Sequence, residues 1–291
     1  MTGSGALDHH AIETATGARP VTVTRVAGGD VAESFRVELD SGITVFAKTH
    51  RRPPPGFFTT EAAGLSWLRA ADAIPVPEVL GVSDEPPILI LSWIDEDPAG
   101  RASADEAGFG RALAALHGTG AETFGRTDGR TTGSRRLPND PADTWVDFFA
   151  ERRLLPLARL AADDGALAPA EIRRLESVAA DLADLAGPPE PPARLHGDLW
   201  AGNRLVDRDG RSWLIDPACF GGHREFDLAM MRLFGGFDPN AFAAYDEVAP
   251  LADGWPARVP LWQLAPLVVH AIKFGGGYRG AVSAALDQLG H

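Results

Sequence analysis

The chain has few of the features that mark secreted and membrane proteins. It has one cysteine, Cys219, in 291 residues, which excludes an internal disulfide framework. No uncharged apolar run reaches about 18 residues, so no membrane span or membrane partner is expected. The segment from Met1 to Thr16 includes Asp8 and Glu13 and has no apolar core, so it is not a secretory signal. We therefore expect a cytoplasmic protein.

Positive charge is also scarce. The 27 lysines and arginines are outnumbered by 40 aspartates and glutamates, which gives a formal net charge of −13. Nucleic acid requires a basic face, so it is not expected as a partner. ATP is still compatible, because a site can supply its own Lys and Mg²⁺. The apolar content of 45% and the chain length fit two lobes of ordinary size.

One stretch contains three polar residues whose types and spacing indicate a catalytic site. Asp198 is followed by Asn203 five residues later and by Asp216 eighteen residues later. The segment between Asn203 and Asp216 consists of an apolar run, a turn with Gly210 and a second apolar run. This pattern predicts a β-hairpin, which would bring Asn203 and Asp216 beside each other.

This spacing is typical of phosphoryl transfer. In kinases an Asp accepts the proton of the acceptor hydroxyl, and an Asn and a second Asp hold Mg²⁺ through hard oxygen ligands. We therefore assign Asp198 as the catalytic base and Asn203 and Asp216 as metal ligands. Each residue alone would more often be a turn or capping residue, but the three together at this spacing favour the kinase interpretation.

The first part of the chain predicts a nucleotide-binding sheet. Three strands are expected over 20–26, 34–39 and 43–48, joined by tight turns. Gly28 and Gly29 in the first turn would let backbone amides approach a phosphate, although a plain hairpin turn is the alternative. Lys48 ends the third strand, and Glu61 lies thirteen residues later on a helix predicted over 59–69. Kinases pair these two residue types to aim the Lys at the phosphates of ATP. A solvated Lys and Glu are the alternative.

Two further strands, over 74–79 and 87–91, are expected to complete a five-stranded antiparallel sheet. Ser92, Trp93 and Ile94 follow, and their backbone groups are predicted to bind the adenine edge at a hinge. The sequence thus predicts an α+β, two-lobed, protein-kinase-like fold, with an N-lobe over 1–94 and a C-lobe over 95–291. The C-lobe is expected to be mostly helical, with helices over 104–117, 143–161, 169–186, 223–234, 239–249, 258–273 and 279–289.

Three other features of the C-lobe have a less direct interpretation. The loop 118–142 is long enough to be a substrate lid, or it is an insertion without function. His196 is expected to be a buried hydrogen-bonding residue rather than a base. Gly275–Gly280 matches the G-x-G-x-x-G pattern of dinucleotide sites, but a helical pattern precedes it where a strand is required, so we reject that match.

These motifs resemble one family over nearly the whole chain. His196-Gly197-Asp198 is similar to the loop of small-molecule kinases related to aminoglycoside phosphotransferases and choline kinases. The longer string from His196 to Asn203, the run from Gly222 to Met230 and Leu233–Phe237 resemble the fructosamine kinase (ketosamine 3-kinase) family. Further matching segments are Gly28-Gly29, Phe46-Ala47-Lys48, Glu61–Leu65, Leu116-His117, Trp145 with Phe148-Phe149, Arg152–Leu154 and Phe274–Tyr278.

The resemblance implies an ATP- and Mg²⁺-dependent kinase that phosphorylates O3 of a ketoamine sugar, either small or protein-bound, so that the unstable product releases the amine. It also implies substrate contacts for Trp200 and Glu225; Trp200 would stack on a sugar ring, or else it supports the loop as a core aromatic. A kinase for an aminoglycoside or amino alcohol and a pseudokinase binding module are the alternatives. The preferred sugar, the kind of amine and the oligomeric state are left open.

Overall fold

The computed structural model describes residues 7–26, 32–97, 99–130 and 137–291. Gly28, Gly29 and part of the loop 118–142 lie outside the described residues. The chain divides into two compact units. Among the described residues, the first unit contains those up to Asp105 together with Asn203–Ala218, and the second contains 106–130, 137–202 and 219–291.

The helices and strands are numbered in chain order. The α-helices are α1 His9–Thr16, α2 Phe57–Arg69, α3 Glu106–Gly118, α4 Trp145–Phe149, α5 Leu155–Asp163, α6 Pro169–Ala180, α7 Leu182–Leu185, α8 Glu225–Leu233, α9 Pro239–Val248, α10 Trp255–Phe274 and α11 Gly277–Gln288. The strands are β1 Pro20–Val26, β2 Glu33–Leu39, β3 Thr44–Thr49, β4 Val79–Asp84, β5 Pro87–Ser92, β6 Ala193–Leu195, β7 Arg204–Val206, β8 Ser212–Leu214 and β9 Phe220–Gly222.

A five-stranded antiparallel sheet in the order β1-β2-β3-β5-β4 forms the centre of the first unit. Its core is apolar and strand-favouring, with Val37, Val45 and Ile90 buried against Ile12 of α1. The central strands β3 and β5 bury three and four of their six side chains, and apart from Lys48 the buried ones are apolar. Lys48 is a buried charged exception on β3.

The fourth strand begins later than the sequence suggested. The predicted strand 74–79 is wrong: β4 runs from Val79 to Asp84, and the segment before it is irregular. The two prolines at 75 and 77 lack the N–H groups that a ladder requires. The carbonyl of Pro75 instead accepts a hydrogen bond from the Leu214 N–H at 3.0 Å.

The predicted hairpin between Asn203 and Asp216 is present and belongs to the first unit. Strands β7 and β8 pair antiparallel, with Leu205 opposite Trp213. The Asp207 carboxylate accepts the backbone N–H groups of Asp209 and Arg211 and the indole N–H of Trp213, which closes the turn. The carbonyl of Val206 in this hairpin also accepts a hydrogen bond from the Asp97 N–H at 2.9 Å. The boundary after residue 94 stays a prediction.

The second unit is mostly helical and is built around aromatic side chains. Trp145 is buried at the centre and contacts the rings of Phe148, Phe149, Phe220, Phe226 and Trp262. The helix predicted over 143–161 is interrupted: a π-helical segment, Ala150–Leu154, separates α4 from α5. The short strands β6 and β9, which sequence periodicity did not predict, pair antiparallel on either side of the predicted catalytic loop in sequence.

The predicted α+β class is confirmed, with an antiparallel sheet in one unit and a mainly helical second unit. The predicted helices from 104 onward correspond to α3–α11, with boundaries displaced by a few residues. Among the described residues, no helix is both long enough and apolar enough to cross a membrane.

Candidate active site

Lys48 is buried in the first unit and bonds to two carboxylates, that of the buried Glu61 and that of Asp216, whose side chain is 37% exposed. Its Nζ donates to Glu61 Oε1 at 2.8 Å and also forms a short hydrogen-bonded ion pair with Asp216. The sheet and α2 position the first two residues, and the segment after the β7–β8 hairpin supplies the third. Only 8% of the Lys48 side chain and 13% of the Glu61 side chain are exposed. The structure therefore brings together three residues that are separated by up to 168 positions in sequence.

The protonation of this cluster follows from burial and mutual charge. Burial acts to lower the pKa of Lys48, but the charges of Glu61 and Asp216 outweigh it, so the pKa of Lys48 is raised. Burial raises the pKa of Glu61, Lys48 opposes this effect, and Asp216 adds to it. Lys48 is thus held as a cation between two carboxyl groups.

Asn203 and Asp216 lie at the two ends of the hairpin and meet there. The Ile215 N–H donates to the Asn203 carbonyl at 3.0 Å, and the Asn203 side-chain amide donates to the main-chain carbonyl of Asp216 at 3.5 Å. Asp216 has a φ of 54°, in the left-handed region of backbone conformation that residues other than glycine seldom adopt. Asp is among the non-glycine residues that tolerate this region best, and such backbone positions often occur at functional sites.

The donor set of this corner fits Mg²⁺. An amide oxygen and a carboxylate are hard ligands, and Mg²⁺ in kinases takes its remaining ligands from phosphates and water. Among the described residues no group of three or more His, Cys, Asp or Glu side chains could hold a metal ion. A dedicated protein cage is therefore absent from the described part, whereas a metal site shared with a nucleotide would need only two protein ligands, the number that Asn203 and Asp216 would supply.

The predicted hinge follows the last strand of the sheet. The Ser92 N–H donates to the Glu78 carbonyl, and the Ser92 hydroxyl accepts the Glu78 N–H, both at 2.9 Å. The Ile94 carbonyl accepts the Glu96 N–H at 3.1 Å, and Arg36 lies over the Trp93 ring. Adenine binding at this segment stays a prediction, as does phosphate binding by Gly28 and Gly29, which lie outside the described residues.

Asp198 belongs to the second unit, where its loop is anchored by a buried carboxylate. Asp227 of α8 accepts the N–H groups of His196 at 2.8 Å and Gly197 at 2.9 Å. Gly197 has a φ of 82°, which glycine adopts without strain. His196 is fully buried, as expected, and its Nδ1 accepts the Asp198 N–H at 3.3 Å. The half-buried Asp198 is thus held on a fixed backbone.

Asp227 and the residues behind it were not assigned a role from the sequence. His117 of α3 contacts Asp227 Oδ2 through Nε2 at 3.3 Å and the Tyr245 hydroxyl through Nδ1 at 2.8 Å, and all three residues are buried. These contacts join α3, α8 and α9 to the loop. A signal was present in the sequence: Asp227 is an acidic residue inside the apolar run from Phe226 to Met231, and a charge there needs a buried partner.

Trp200 projects from the same loop and is 39% exposed. Its indole lies against Gly202, where the methyl group of an alanine would come within 2.1 Å of the Trp200 ring. Gly202 is therefore required by the position of the ring and not by an unusual φ. The indole also contacts Phe234 edge-to-face, with 6.0 Å between ring centres.

Glu225 was predicted to contact the substrate, but the structure places it inside the second unit. Its carboxylate is fully buried, receives two hydrogen bonds from the Arg258 guanidinium and accepts the indole N–H of Trp262 at 2.9 Å. Substrate would have to displace a buried, doubly bonded partner to reach it, at a large cost. We therefore correct the prediction: Glu225 fixes α8 to α10 inside the second unit.

Comparisons with known proteins find one family over nearly the whole chain. A family model described as fructosamine kinase matches residues 6–291. A "probable ketoamine kinase" of Enterococcus faecium is 34% identical over 271 residues, which cover 92% of this chain and 95% of the relative. The crystal structure of a "putative fructosamine-3-kinase" from Thermobifida fusca is 44% identical, with a TM-score of 0.88 and coverage of 98% of this chain and 99% of that chain.

More distant solved structures share the fold alone. The aminoglycoside phosphotransferase APH(4)-Ia, as a thermostable mutant, is 15% identical and superposes with a TM-score of 0.63 over 96% of this chain and 98% of that chain. The fold predicted from the kinase-like spacing is thus the fold of known phosphotransferases.

Proposed function

Because the chain belongs to the fructosamine kinase family, and is therefore a kinase of sugar amines, we propose that it transfers the γ-phosphoryl group of ATP to O3 of a ketoamine. The 3-phosphate is unstable and releases the amine, so the activity would repair glycated amines. The observation that carries the proposal is the ion cluster of the buried Lys48 and Glu61 with the partly exposed Asp216, beside Asn203.

In this proposal Lys48 binds the α- and β-phosphates of ATP. Glu61 positions the ammonium and stabilises its charge, which burial alone would discourage. Asn203 and Asp216 would hold Mg²⁺, which supplies charge neutralisation to the phosphates. Ser92, Trp93 and Ile94 would bind adenine, and Gly28 and Gly29 would cover the phosphates.

Asp198 acts on the acceptor. Its carboxylate orients the O3 hydroxyl and accepts its proton as the oxygen bonds to the γ-phosphorus and the bond to the ADP oxygen breaks. The anchoring of the preceding backbone by Asp227 supports this role, because it limits the freedom of the base before substrate arrives. Trp200, exposed two residues further on, would stack on the sugar ring.

In terms of the predicted domains, residues 1–94 would bind the nucleotide, and residues of 95–291 would bind the acceptor and the metal. Of the latter residues, Asn203 and Asp216 belong to the same compact unit as Lys48.

Product identification tests the proposal. We expect that incubation of a synthetic ketoamine with ATP and Mg²⁺ yields one phosphorylated product, which two-dimensional ¹H–³¹P NMR assigns to O3. Phosphate found on another hydroxyl would contradict the O3 assignment, and absence of any phosphorylated ketoamine would contradict the function.

A further inference from the structure

Five ring-bearing side chains form a continuous surface cluster in the second unit. We call this cluster the aromatic shelf; its members are Trp200, Phe234, His270, Phe274 and Tyr278. Phe234 contacts the rings of Trp200 and His270, with 6.0 and 5.2 Å between ring centres. Tyr278 lies 5.0 Å from His270 and 6.0 Å from Phe274 by the same measure. Four separate segments of the chain thus contribute to one surface.

The shelf is exposed to an extent that packing does not explain. The exposed fractions are 39% for Trp200, 41% for Phe234 and 51% for Phe274. Scattered single apolar residues are normal on protein surfaces, but a contiguous group of large rings marks a binding site. Trp200 also connects the shelf to the proposed base, because it follows Asp198 by two residues.

The backbone around the shelf leaves the rings accessible. Gly235 and Gly236 follow Phe234, and Gly275, Gly276 and Gly277 separate Phe274 from Tyr278. A methyl group added at any of Gly235, Gly275, Gly276 or Gly277 would meet no atom within 4 Å. Gly277 has neither a positive φ nor a close neighbour to account for it. The glycines thus leave open space beside the segments that carry Phe234, Phe274 and Tyr278.

A hydrogen-bond acceptor lies among the rings. His270 Nδ1 is 2.7 Å from the carbonyl oxygen of Pro266, one turn earlier on α10. A carbonyl can only accept, so Nδ1 carries the proton, and in the neutral ring Nε2 is then an acceptor. The half-buried imidazole contacts Phe234, Phe274 and Tyr278, and its acceptor atom therefore belongs to the shelf.

Ring faces combined with an acceptor favour a cation. The π-faces of Trp, Tyr and Phe carry partial negative charge and attract ammonium groups within about 6 Å. The ammonium of Lys273 already lies 4.9 Å from the centre of the Phe274 ring, so this ring is reachable by a cation. Ring faces attract a cation, and His270 Nε2 accepts an N–H, so a protonated amine meets both requirements of the shelf.

We propose that the aromatic shelf binds the protonated amine of the ketoamine, with the ammonium against the ring faces of Phe234 and Phe274 and an N–H donated to His270 Nε2. This inference rests on the proposed function, since it takes the ketoamine as acceptor. In a ketoamine only two carbons separate the nitrogen from C3, so a sugar held by Asp198 at O3 would have its amine beside Trp200. The shelf would make the enzyme selective for basic amines next to the sugar.

The experiment compares two acceptors that differ in one atom. One is a ketoamine with a secondary ammonium, and the other is its ether analogue, in which oxygen replaces that nitrogen on the same ketose and alkyl group. We expect kcat/KM of the wild-type enzyme with Mg²⁺ and ATP to favour the ammonium by about tenfold, the size of a cation–π contribution.

Variants separate the ring face from apolar bulk. Phe234→Leu and Phe274→Leu keep an apolar side chain but remove the π-face, so each should lower the preference for the ammonium at least threefold. Phe274→Tyr keeps the face and should keep the preference, and His270→Leu should lower it. Val248→Ala is the control, because Val248 is also 51% exposed on the second unit but lies outside the shelf; its preference should equal that of the wild type.

The outcomes distinguish the two claims. If wild-type enzyme phosphorylates neither acceptor, the proposed function fails and this inference fails with it. If both acceptors are phosphorylated without preference, or if the Leu variants reduce kcat/KM equally for both, the function stands and the shelf does not bind the ammonium.

Discussion

At the candidate active site, Lys48 is a buried charged residue whose ion pairs come from distant parts of the chain. It is buried and would be unfavourable as a lone charge, and it is stabilised by two carboxylates from distant parts of the chain. The pairing of Lys48 with Glu61 was predicted from spacing alone. The additional ion pair with Asp216 was not, because a contact across 168 positions depends on how the hairpin packs in the first unit.

The ion pairs of Lys48 allow us to predict how its substitution changes the free energy of unfolding. Lys48→Met should lower the free energy of unfolding by about 3 kcal/mol, because it leaves Glu61 and Asp216 without their cation. Adding Glu61→Gln should recover part of this loss, so that the double variant loses less than the sum of the two single variants. Urea denaturation of the ligand-free protein measures the three losses.

Lys273→Met is the control for the cluster, because Lys273 is the other lysine of the chain and is exposed. Its loss should stay within about 0.5 kcal/mol. Strictly additive losses for Lys48→Met and Glu61→Gln would show that the two residues do not stabilise each other.

Asp216 carries the metal prediction. Asp216→Asn keeps the shape and removes the charge, so we expect the Mg²⁺ concentration needed for half-maximal rate to rise at least about tenfold and kcat to fall at saturating ATP. Asp143→Asn, at an exposed position, should change neither quantity. A magnesium titration identical to that of the wild type would remove Asp216 from the metal site.

At the scale of elements, local patterns predicted what depends on neighbours in sequence. Alternation and turn residues predicted β1, β2, β3, β5 and the β7–β8 hairpin, because short turns and apolar runs mark them locally. The strand placed at 74–79 was wrong because apolar residues outweighed the prolines. The short strands β6 and β9 were missed, since they are three residues each and pair across a long stretch of intervening chain.

The surroundings of some side chains can be predicted from the local sequence, whereas those of others depend on tertiary packing. His196 was predicted as a buried residue from its loop, and the structure agrees. Asp227 and Glu225 both lie on α8, and sequence cannot tell which acidic residue reaches a backbone and which reaches Arg258. That choice depends on the packing of α8 against its neighbours, which no local pattern specifies.

In the short 3₁₀ turn Ala201–Asn203, the Trp200 ring leaves no room for a side chain at Gly202, and this can be tested. Gly202→Ala places a methyl group where the Trp200 ring now lies, at 2.1 Å. The indole must move, and we expect kcat/KM for the ketoamine to fall at least about tenfold with a change in tryptophan fluorescence. Gly118→Ala, where the added methyl meets nothing within 4 Å, should leave both unchanged. Normal kinetics of Gly202→Ala would show that the position of Trp200 is unimportant.

The proline-rich segment before β6 is fastened by a charged pair. Glu190 accepts two hydrogen bonds from the Arg224 guanidinium at 2.7 and 2.8 Å, and Arg224 also donates to the carbonyls of Ala249 and Pro250. Burial acts to raise the pKa of Glu190, but Arg224 and His223 outweigh it, so the pKa is held below the ordinary 4.5.

A pH-dependent stability follows. A lowered folded-state pKa means that the Glu190 charge stabilises the fold above pH 4.5 and that this contribution is lost as pH falls through the lower value. Glu190→Gln should therefore cost about 2 kcal/mol near neutral pH and progressively less as pH falls below 4.5 through the lowered pKa, as urea denaturation at several pH values would measure. Glu176→Gln, at an exposed position on α6, should show no such trend. A cost for Glu190→Gln that is independent of pH would contradict the assignment.

At the scale of the whole molecule, composition excluded more than it identified. The single cysteine, the negative net charge and the absence of long apolar runs excluded a disulfide framework, a nucleic-acid partner and a membrane span as expectations. The α+β class followed from the order of strand-like and helix-like patterns. In our proposal the acceptor is recognised by side chains from several segments of the second unit, and no single motif contains them.

The central claim is that this kinase of the fructosamine kinase family acts on ketoamines through Asp198. The direct measurement is ADP formation from ATP and Mg²⁺ with ribulose-lysine, fructose-lysine, an aminoglycoside, choline or no acceptor. We predict turnover with the ketoamines only, and a loss of at least about 100-fold in Asp198→Asn but not in Asp143→Asn. Turnover confined to the aminoglycoside or choline, or an Asp198→Asn variant as active as the wild type, would contradict the account.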